Sequence, residues 1–360
     1  MITYILYNTI FLGCFVNSYL AEKLDSKYSR LLCRTIVFLL LTIPSSLRYF
    51  TGTDYGAYLK MFYNHSLLER TEIFWKYLYY LIVYLGLPAQ FIFVFSSILI
   101  YFPICFILKR KYFCLSIVLY IILGYYFKSF NILRQMIAVS FIVYGLLEFE
   151  SRKYLKALFL YLIAIGFHSA SLIVIPCFLI SFVKLCGKKL PFIFLLLCII
   201  FCIYFNCLKI ILSILSLVGS KFARYASSGF FTGKTALGSG IGVFSRLLFS
   251  LLAVFYYKRI SEKHTEKINA LNFSFIYIIV YILAAQFVIL GRLRDFFLFA
   301  PLLITGFAFE SCGKYKKIVM IMFLALNILL FEADIKKQNR DSFSNGIYPY
   351  YSIFYEGVIK

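Results

Sequence analysis

The sequence predicts an all-α fold: a polytopic membrane helix bundle of about twelve spans, some of them short or broken, around an outward-facing cavity. Three observations predict it. Hydrophobic residues make up 62% of the 360 and charged residues only 14%, where a soluble domain carries about 25% charged. Mean hydropathy is +0.88. The charges gather in short basic runs between long uncharged stretches, with 37 Lys and Arg against 15 Asp and Glu, a net +22. A soluble enzyme, a disordered chain and a disulfide scaffold are all excluded. At roughly 25–30 residues per span and connection, no room remains for a large soluble domain.

The first element is the uncharged stretch Met1 to Ala21. It lacks a basic leader and a small-residue cleavage site, so it reads as a span and not as a signal peptide. Residues 35–47 make the second span. The run 77–108 holds Gly86-Leu87-Pro88 at its middle. We expect one crossing bent at Pro88, with the first half near the outer surface; two full helices would give thirteen spans. Further uncharged runs are 112–127, 135–147, 190–208, 268–291, 296–309 and 318–331, and 241–257 is broken only by Arg246. These place a single transmembrane domain at 1–331, with outer-side segments at 48–72 and 208–240. A Tyr-rich extracytoplasmic tail at 332–360 follows.

Six basic clusters punctuate the spans: Lys23/Lys27/Arg30, Lys109–Lys111, Arg152/Lys153/Lys156, Lys184/Lys188/Lys189, Lys258/Arg259/Lys263 and Lys314/Lys316/Lys317. In a soluble protein such an excess suggests nucleic acid. Between apolar runs it obeys the positive-inside rule instead, so all six go to the cytoplasmic side and no nucleic-acid partner is expected. The run from Ala157 to Val183 then becomes informative. Lys156 and Lys184 bound it and must share a side, so it folds back as a hairpin at Gly166-Phe167-His168-Ser169. Each leg, at about 12–15 residues, rises only about 18–22 Å and cannot cross a ~30 Å core. His168 would lie at the bottom of an outward-facing depression.

The same ruler puts Arg134, Arg246, Arg292 and Arg294 toward the outer side, against the charge rule. Each alone could be an arginine snorkelling to the interface. Together with His168 they suggest one functional chamber, because ionisable groups within a membrane are functional candidates by default. The loop 208–240, with Lys209, Lys221, Arg224 and Lys234, reads either as a cationic cover for an anionic substrate or as a solvated connection.

Several motifs carry chemistry. Arg48-Tyr49-Phe50-Thr51-Gly52-Thr53-Asp54-Tyr55 closes the second span, and a carboxylate among aromatic rings suits sugar binding. An aromatic belt with an Asp cap is the plainer reading. Glu72 before Phe74-Trp75 has the same two readings. Asn131-Ile132-Leu133-Arg134-Gln135 opens a span, and Phe167-His168-Ser169-Ala170-Ser171 ends one. Gly291-Arg292-Leu293-Arg294-Asp295 connects two. Its guanidinium groups suit phosphate, or form an ion pair with Asp295. The ten cysteines contain no CxxC and the three histidines form no ligand cluster. We therefore expect no metal and no cofactor.

The ordered set Arg48…Gly52-Thr53-Asp54-Tyr55…Tyr58, Glu72, Arg134-Gln135-x-Ile137-Ala138, His168-Ser169-Ala170, Arg292 before Phe296-Phe297, and Pro349-Tyr350 resembles the EpsG family. These are Wzy-type polymerases of bacterial exopolysaccharide, capsule or O-antigen. The resemblance implies a multi-pass protein of the bacterial cytoplasmic membrane. It implies undecaprenyl-diphosphate-linked glycans as donor and acceptor, joined on the outer side, and partners among other assembly proteins such as a chain-length regulator. On that reading Arg134 and Arg292 hold the diphosphate and His168 or Asp54 is the base. His168 is preferred for its depth and because imidazole titrates near neutrality. Arg48, Tyr55, Glu72 and Gln135 bind substrate, and Arg246 and Arg294 join them by depth alone. Two other functions would also want cavity arginines. A lipid-linked oligosaccharide flippase should show pseudo-symmetric halves, and no repeat is visible. A sugar acyltransferase needs an inward-opening acyl-donor site, which nothing marks.

Overall fold

The computed structural model describes residues 2–174, 241–284, 288–337 and 346–355. Among the described residues every regular element is helical, and the only strand-like pairing is an isolated antiparallel bridge between Arg48 and Ser352. The chain divides into two compact units. One comprises Met1–Leu172 with Ala325–Lys360, and the other Ile173–Leu324.

The first unit starts with α1 (Ile2–Lys23) and α2 (Lys27–Leu47), joined by a turn whose Ser26 hydroxyl accepts from the Ser29 N–H and caps α2. The segment 48–72, expected as an outer connection, folds into two short helices, α3 (Tyr55–Tyr63) and α4 (His65–Leu68). The run 77–108 is broken where Gly86 and Pro88 stand. Helix α5 (Ile73–Tyr84) precedes the break, and α6 (Phe91–Phe102) with a π-turn (Pro103–Ile107) follows it. Gln90 pins the break to the end of α2 by donating to Ser46 O (2.6 Å) and Arg48 O (3.0 Å). Cys105 and Leu108 at the far end accept from the Arg34 guanidinium, both at 3.0 Å. Thus α6 traverses the unit once, and α5 begins and ends on the side where α2 ends.

The uncharged run 112–127 is shorter as a helix than expected. Gly124 takes a left-handed conformation, which ends α7 (Phe113–Ile122) and starts the single turn α8 (Tyr125–Lys128). Helix α9 (Leu133–Glu150) is buried on nearly every side, from Leu133 to Leu147, as a central helix must be. It pairs with α10 (Tyr154–Phe167), whose small residues Ala157 and Ala164 face inward and let two helices approach where no hydrophobic drive exists between them in lipid. The chain turns at 168 into a 3-10 turn, Ser169–Ile173; the rest of the second leg of the expected 157–183 hairpin, and the elements at 190–208 and 208–240, lie outside the described residues.

Three of the six basic clusters gather at one end of this unit. Arg110 donates to Glu22 O (2.8 Å) and Leu24 O (2.8 Å) at the end of α1 and pairs with Asp25 (3.1 Å). Lys109 reaches Glu150 (3.8 Å) at the end of α9, and Lys153 and Lys156 pair with Glu148 (3.4 and 2.8 Å). Cations there complement the carbonyl ends of α1 and α9.

The second unit holds α11 (Ile241–Phe255) and α12 (Tyr257–Lys263), a pair bent by 60°, so the run 241–257 does not continue straight. Then come α13 (Ile268–Ala284), α14 (Val288–Asp295) and α15 (Ala300–Ser311). Arg292 and Arg294, expected in a connection, lie instead inside α14; the connection falls at Phe296–Phe299. Helix α16 (Lys316–Lys337) begins in this unit, and from Ala325 it belongs to the first. Residues 332–337 therefore continue a helix, and 346–355 fold onto the first unit.

Among the described residues α1, α2 and Gly313–Lys336 are long and apolar enough to cross a membrane, and the bent pair α11–α12 would make a fourth span. The segments Phe91–Ile107, Phe113–Ile122 and Tyr154–Phe167 are apolar but shorter. Exposed apolar side chains along α1, among them Ile5, Leu12, Phe15 and Tyr19, form the kind of surface lipid covers.

Candidate functional site

At the end of the first unit opposite the basic clusters, α2 stops, α9 starts and α10 stops. Arg48 closes α2 and is fully buried. Its guanidinium donates to Ser45 O, to Ser45 Oγ (3.1 Å) and to Phe130 O (3.1 Å), and stacks over the Phe93 and Phe130 rings. Through these contacts Arg48, expected to bind sugar, fastens α2 to the segment before α9. Tyr55, also expected to bind sugar, is packed into the same corner. It is 1% exposed, stacked on Phe93 with centroids 4.4 Å apart, and its hydroxyl donates to Gln90 Oε1 (2.8 Å).

Gly52 lets the next residues cross closely over Phe130 and Asn131. Its φ is +98°, and a Cβ there would stand 2.9 Å from Phe130 O and 3.0 Å from Asn131 Oδ1. The Asn131 side chain accepts from the Thr53 hydroxyl (3.1 Å) and the Asp54 N–H (3.3 Å). From the other side Gly346 O accepts from the Gly52 N–H (2.9 Å), and Tyr351 O accepts from the Tyr49 N–H (2.8 Å). Asp54, half-buried at the start of α3, is thereby fixed by main chain on both flanks.

Glu72 stands just before α5 and is the junction of the site. Its Oε2 lies 2.6 Å from Arg134 Nη1 in the first turn of α9. Its Oε1 lies 3.2 Å from His168 Nδ1, just past α10, and accepts from the N–H and hydroxyl of Ser169, each at 3.2 Å. The main-chain N–H of His168 donates to Ala164 O (2.9 Å), which fixes this extended residue at the end of α10. Gly166 admits the Phe74 ring of α5, which occupies the place a side chain would take. So α5 and α10 meet where Glu72 and His168 must touch. Burial works against ionisation of Glu72, but the His168 hydrogen bond and the Arg134 charge outweigh it and hold the carboxyl at about 2, below its usual 4.5.

Three sequence-predicted residues, Glu72, Arg134 and His168, are thus brought together from three helices. Gln135, the next residue along α9, is buried. Arg246, Arg292 and Arg294 belong to the second unit. There Arg292 is exposed, while Arg294 pairs with Asp295 (3.3 Å) and lies over the Tyr281 ring (4.7 Å), the ion pair that the sequence left open. Arg246 and Arg294 lie within electrostatic range of one another and of buried Tyr277. Among the described residues no three His, Cys, Asp or Glu side chains gather closely enough for a metal ion. Sequence reasoning missed Asn131, Ser169 and Gln90. The first two flank predicted residues inside quoted motifs, so adjacency was the available signal; Gln90 had none.

A half-buried carboxylate bridging a guanidinium and an imidazole can fix a histidine tautomer while keeping a cation beside it, an arrangement suited to proton transfer next to an anion. Compared with known proteins, the chain matches the sequence model of the EpsG family over residues 31–352. No curated protein and no solved structure matches it.

Proposed function

The chain belongs to the EpsG family, a Wzy-type polymerase family, and from that premise we propose that it polymerises undecaprenyl-diphosphate-linked oligosaccharide repeat units by glycosyl transfer. The reaction runs on the extracytoplasmic side of a bacterial cytoplasmic membrane, in an outward-facing cavity of a bundle of about twelve spans. The observation that supports this reading is the Glu72 carboxylate held between Arg134 and His168, at the end of the first unit away from its basic clusters.

In the proposed step a hydroxyl of one lipid-linked glycan attacks the anomeric carbon of another. His168 takes the hydroxyl proton through Nε2, the nitrogen that does not face Glu72. The new oxygen–carbon bond forms as the bond from the anomeric carbon to the diphosphate breaks, and the diphosphate leaves with the electron pair. Arg134 stabilises the charge growing on the phosphate oxygen. Glu72 stays ionised, orients the imidazole and steadies the imidazolium that forms. Asp54 is the alternative base. In the second unit exposed Arg292 is our candidate for a phosphate contact, and Arg246 and Arg294 for substrate.

The test is polymerisation of a purified lipid-linked repeat unit by the protein in lipid. A length ladder supports the proposal; translocation without a ladder, or a single-unit mass gain, overturns it. His168→Gln and Arg134→Ala should each abolish the ladder at normal protein levels, and Arg292→Ala, tested separately, should shorten it. Wild-type chain lengths from His168→Gln with a dead Asp54→Asn would move the base to Asp54.

A further inference from the structure

The Glu72–Arg134 pair joins two helices, and one side chain from a third element ties those helices together. Tyr58 of α3 is 5% exposed. Its hydroxyl accepts from the N–H of Leu133, the residue before Arg134, at 3.0 Å. That N–H also reaches Asn131 O (2.8 Å) within its own turn, so Tyr58 supplies the acceptor that comes from outside the segment. On its other side Tyr58 faces α5. Tyr79 donates to Tyr58 O (2.8 Å), and the Trp75 ring packs edge-on against the Tyr58 ring at 5.4 Å. Helix α3 itself starts at Asp54, whose carbonyl accepts from the Tyr58 N–H (3.1 Å).

We propose that Tyr58 is a positioning residue for the polymerisation step: its buried hydroxyl anchors the first turn of α9 against α3 and α5, and so sets where the Arg134 guanidinium stands relative to Glu72 and the leaving diphosphate. The first turn of any helix has N–H groups without intrahelical partners, and α9 has no side-chain cap at Ile132. A buried phenol placed on Leu133 does the capping and adds a tertiary address to it. A small displacement of a group that stabilises leaving-group charge is costly, because its effect depends on preorganised geometry. The proposal rests on the polymerase reading for its activity arm and on the geometry alone for its structural arm.

Tyr58→Phe keeps the ring against Trp75 and removes only the hydroxyl. Turnover of the lipid-linked repeat should fall about tenfold with KM for the acceptor little changed. In an Arg134→Lys background the same substitution should be almost silent, because a residue that acts through Arg134 has nothing left to position. A purely structural residue would cost the same factor in both backgrounds, and that additivity would overturn the proposal, as would wild-type turnover by Tyr58→Phe. Hydrogen exchange on the 131–136 peptide decides the anchoring without any activity: faster exchange in Tyr58→Phe supports it and unchanged exchange refutes it. If the wild-type protein makes no ladder, the polymerase reading fails while the exchange comparison still judges the anchor.

Discussion

Glu72 shows how the fold can engage both oxygens of one carboxylate. Its acid beside aromatic residues suggested a sugar ligand, yet both carboxylate oxygens are committed to Arg134, His168 and Ser169. Its folded-state pKa is lowered to about 2, so the folded protein holds the carboxyl proton less tightly than the unfolded chain does. The stability this gives is fully present above the usual value of 4.5 and disappears as pH falls through about 2. Glu72→Gln should therefore flatten the thermal-stability curve across that interval, measured by unfolding in detergent at stepped pH. The same variant should also lose the polymer ladder near neutrality, where His168 would no longer be oriented. A Glu72→Gln protein with unaltered ladder and unaltered pH dependence would remove the residue from the site.

At the scale of elements, the crossing of Gly52–Asp54 over Phe130–Asn131 positions α3 against α9. Both segments were visible as motifs, but their apposition was not, since 77 residues separate Asp54 from Asn131. Gly52→Ala forces a side chain into a left-handed residue and against a main-chain oxygen, and should destabilise the protein by about 1–3 kcal/mol. A Tm equal to wild type in matched detergent would contradict this. The strap at 346–352 closes the same crossing from above. It also buries the Tyr7 hydroxyl, which donates to Ile347 O (2.9 Å), and receives the Thr51 hydroxyl on Tyr351 O (3.2 Å). Truncation after residue 345 removes these tertiary hydrogen bonds, each worth about 0.5–1.5 kcal/mol net. The truncated protein should melt earlier and elongate poorly, and full activity from it would show that the strap is dispensable.

For the whole molecule, charge placement and site placement agree within the first unit. The clusters around Lys23, Arg110 and Lys153 cap helix ends on one side, and Glu72, Arg134 and His168 meet on the other. On our proposal the basic end faces the cytoplasm, as the positive-inside rule expects. In a cysteine-free background, Thr53→Cys should react with an impermeant maleimide added outside intact cells, and Lys111→Cys only after permeabilisation. The reverse pattern would invert the orientation and take the site away from the outer leaflet.

The amino-acid sequence by itself determined the helical, membrane-embedded class, because composition and the spacing of charges decide which segments tolerate lipid. It also marked the break at Gly86 and Pro88, which interrupt a helix through local backbone preferences, while the break at Gly124 emerged only in the structure. It could nominate Glu72, Arg134 and His168 one by one, from their depth and their motifs. What only the tertiary structure decided is who faces whom. Arg48 and Tyr55 carry the same polar signature as a ligand-binding pair, yet they are turned inward onto carbonyls and rings, while Glu72 is turned onto a cation and an imidazole. The reason is physical: a side chain's partner is set by which helix packs beside it, and that depends on contacts between segments tens of residues apart, which no local pattern encodes.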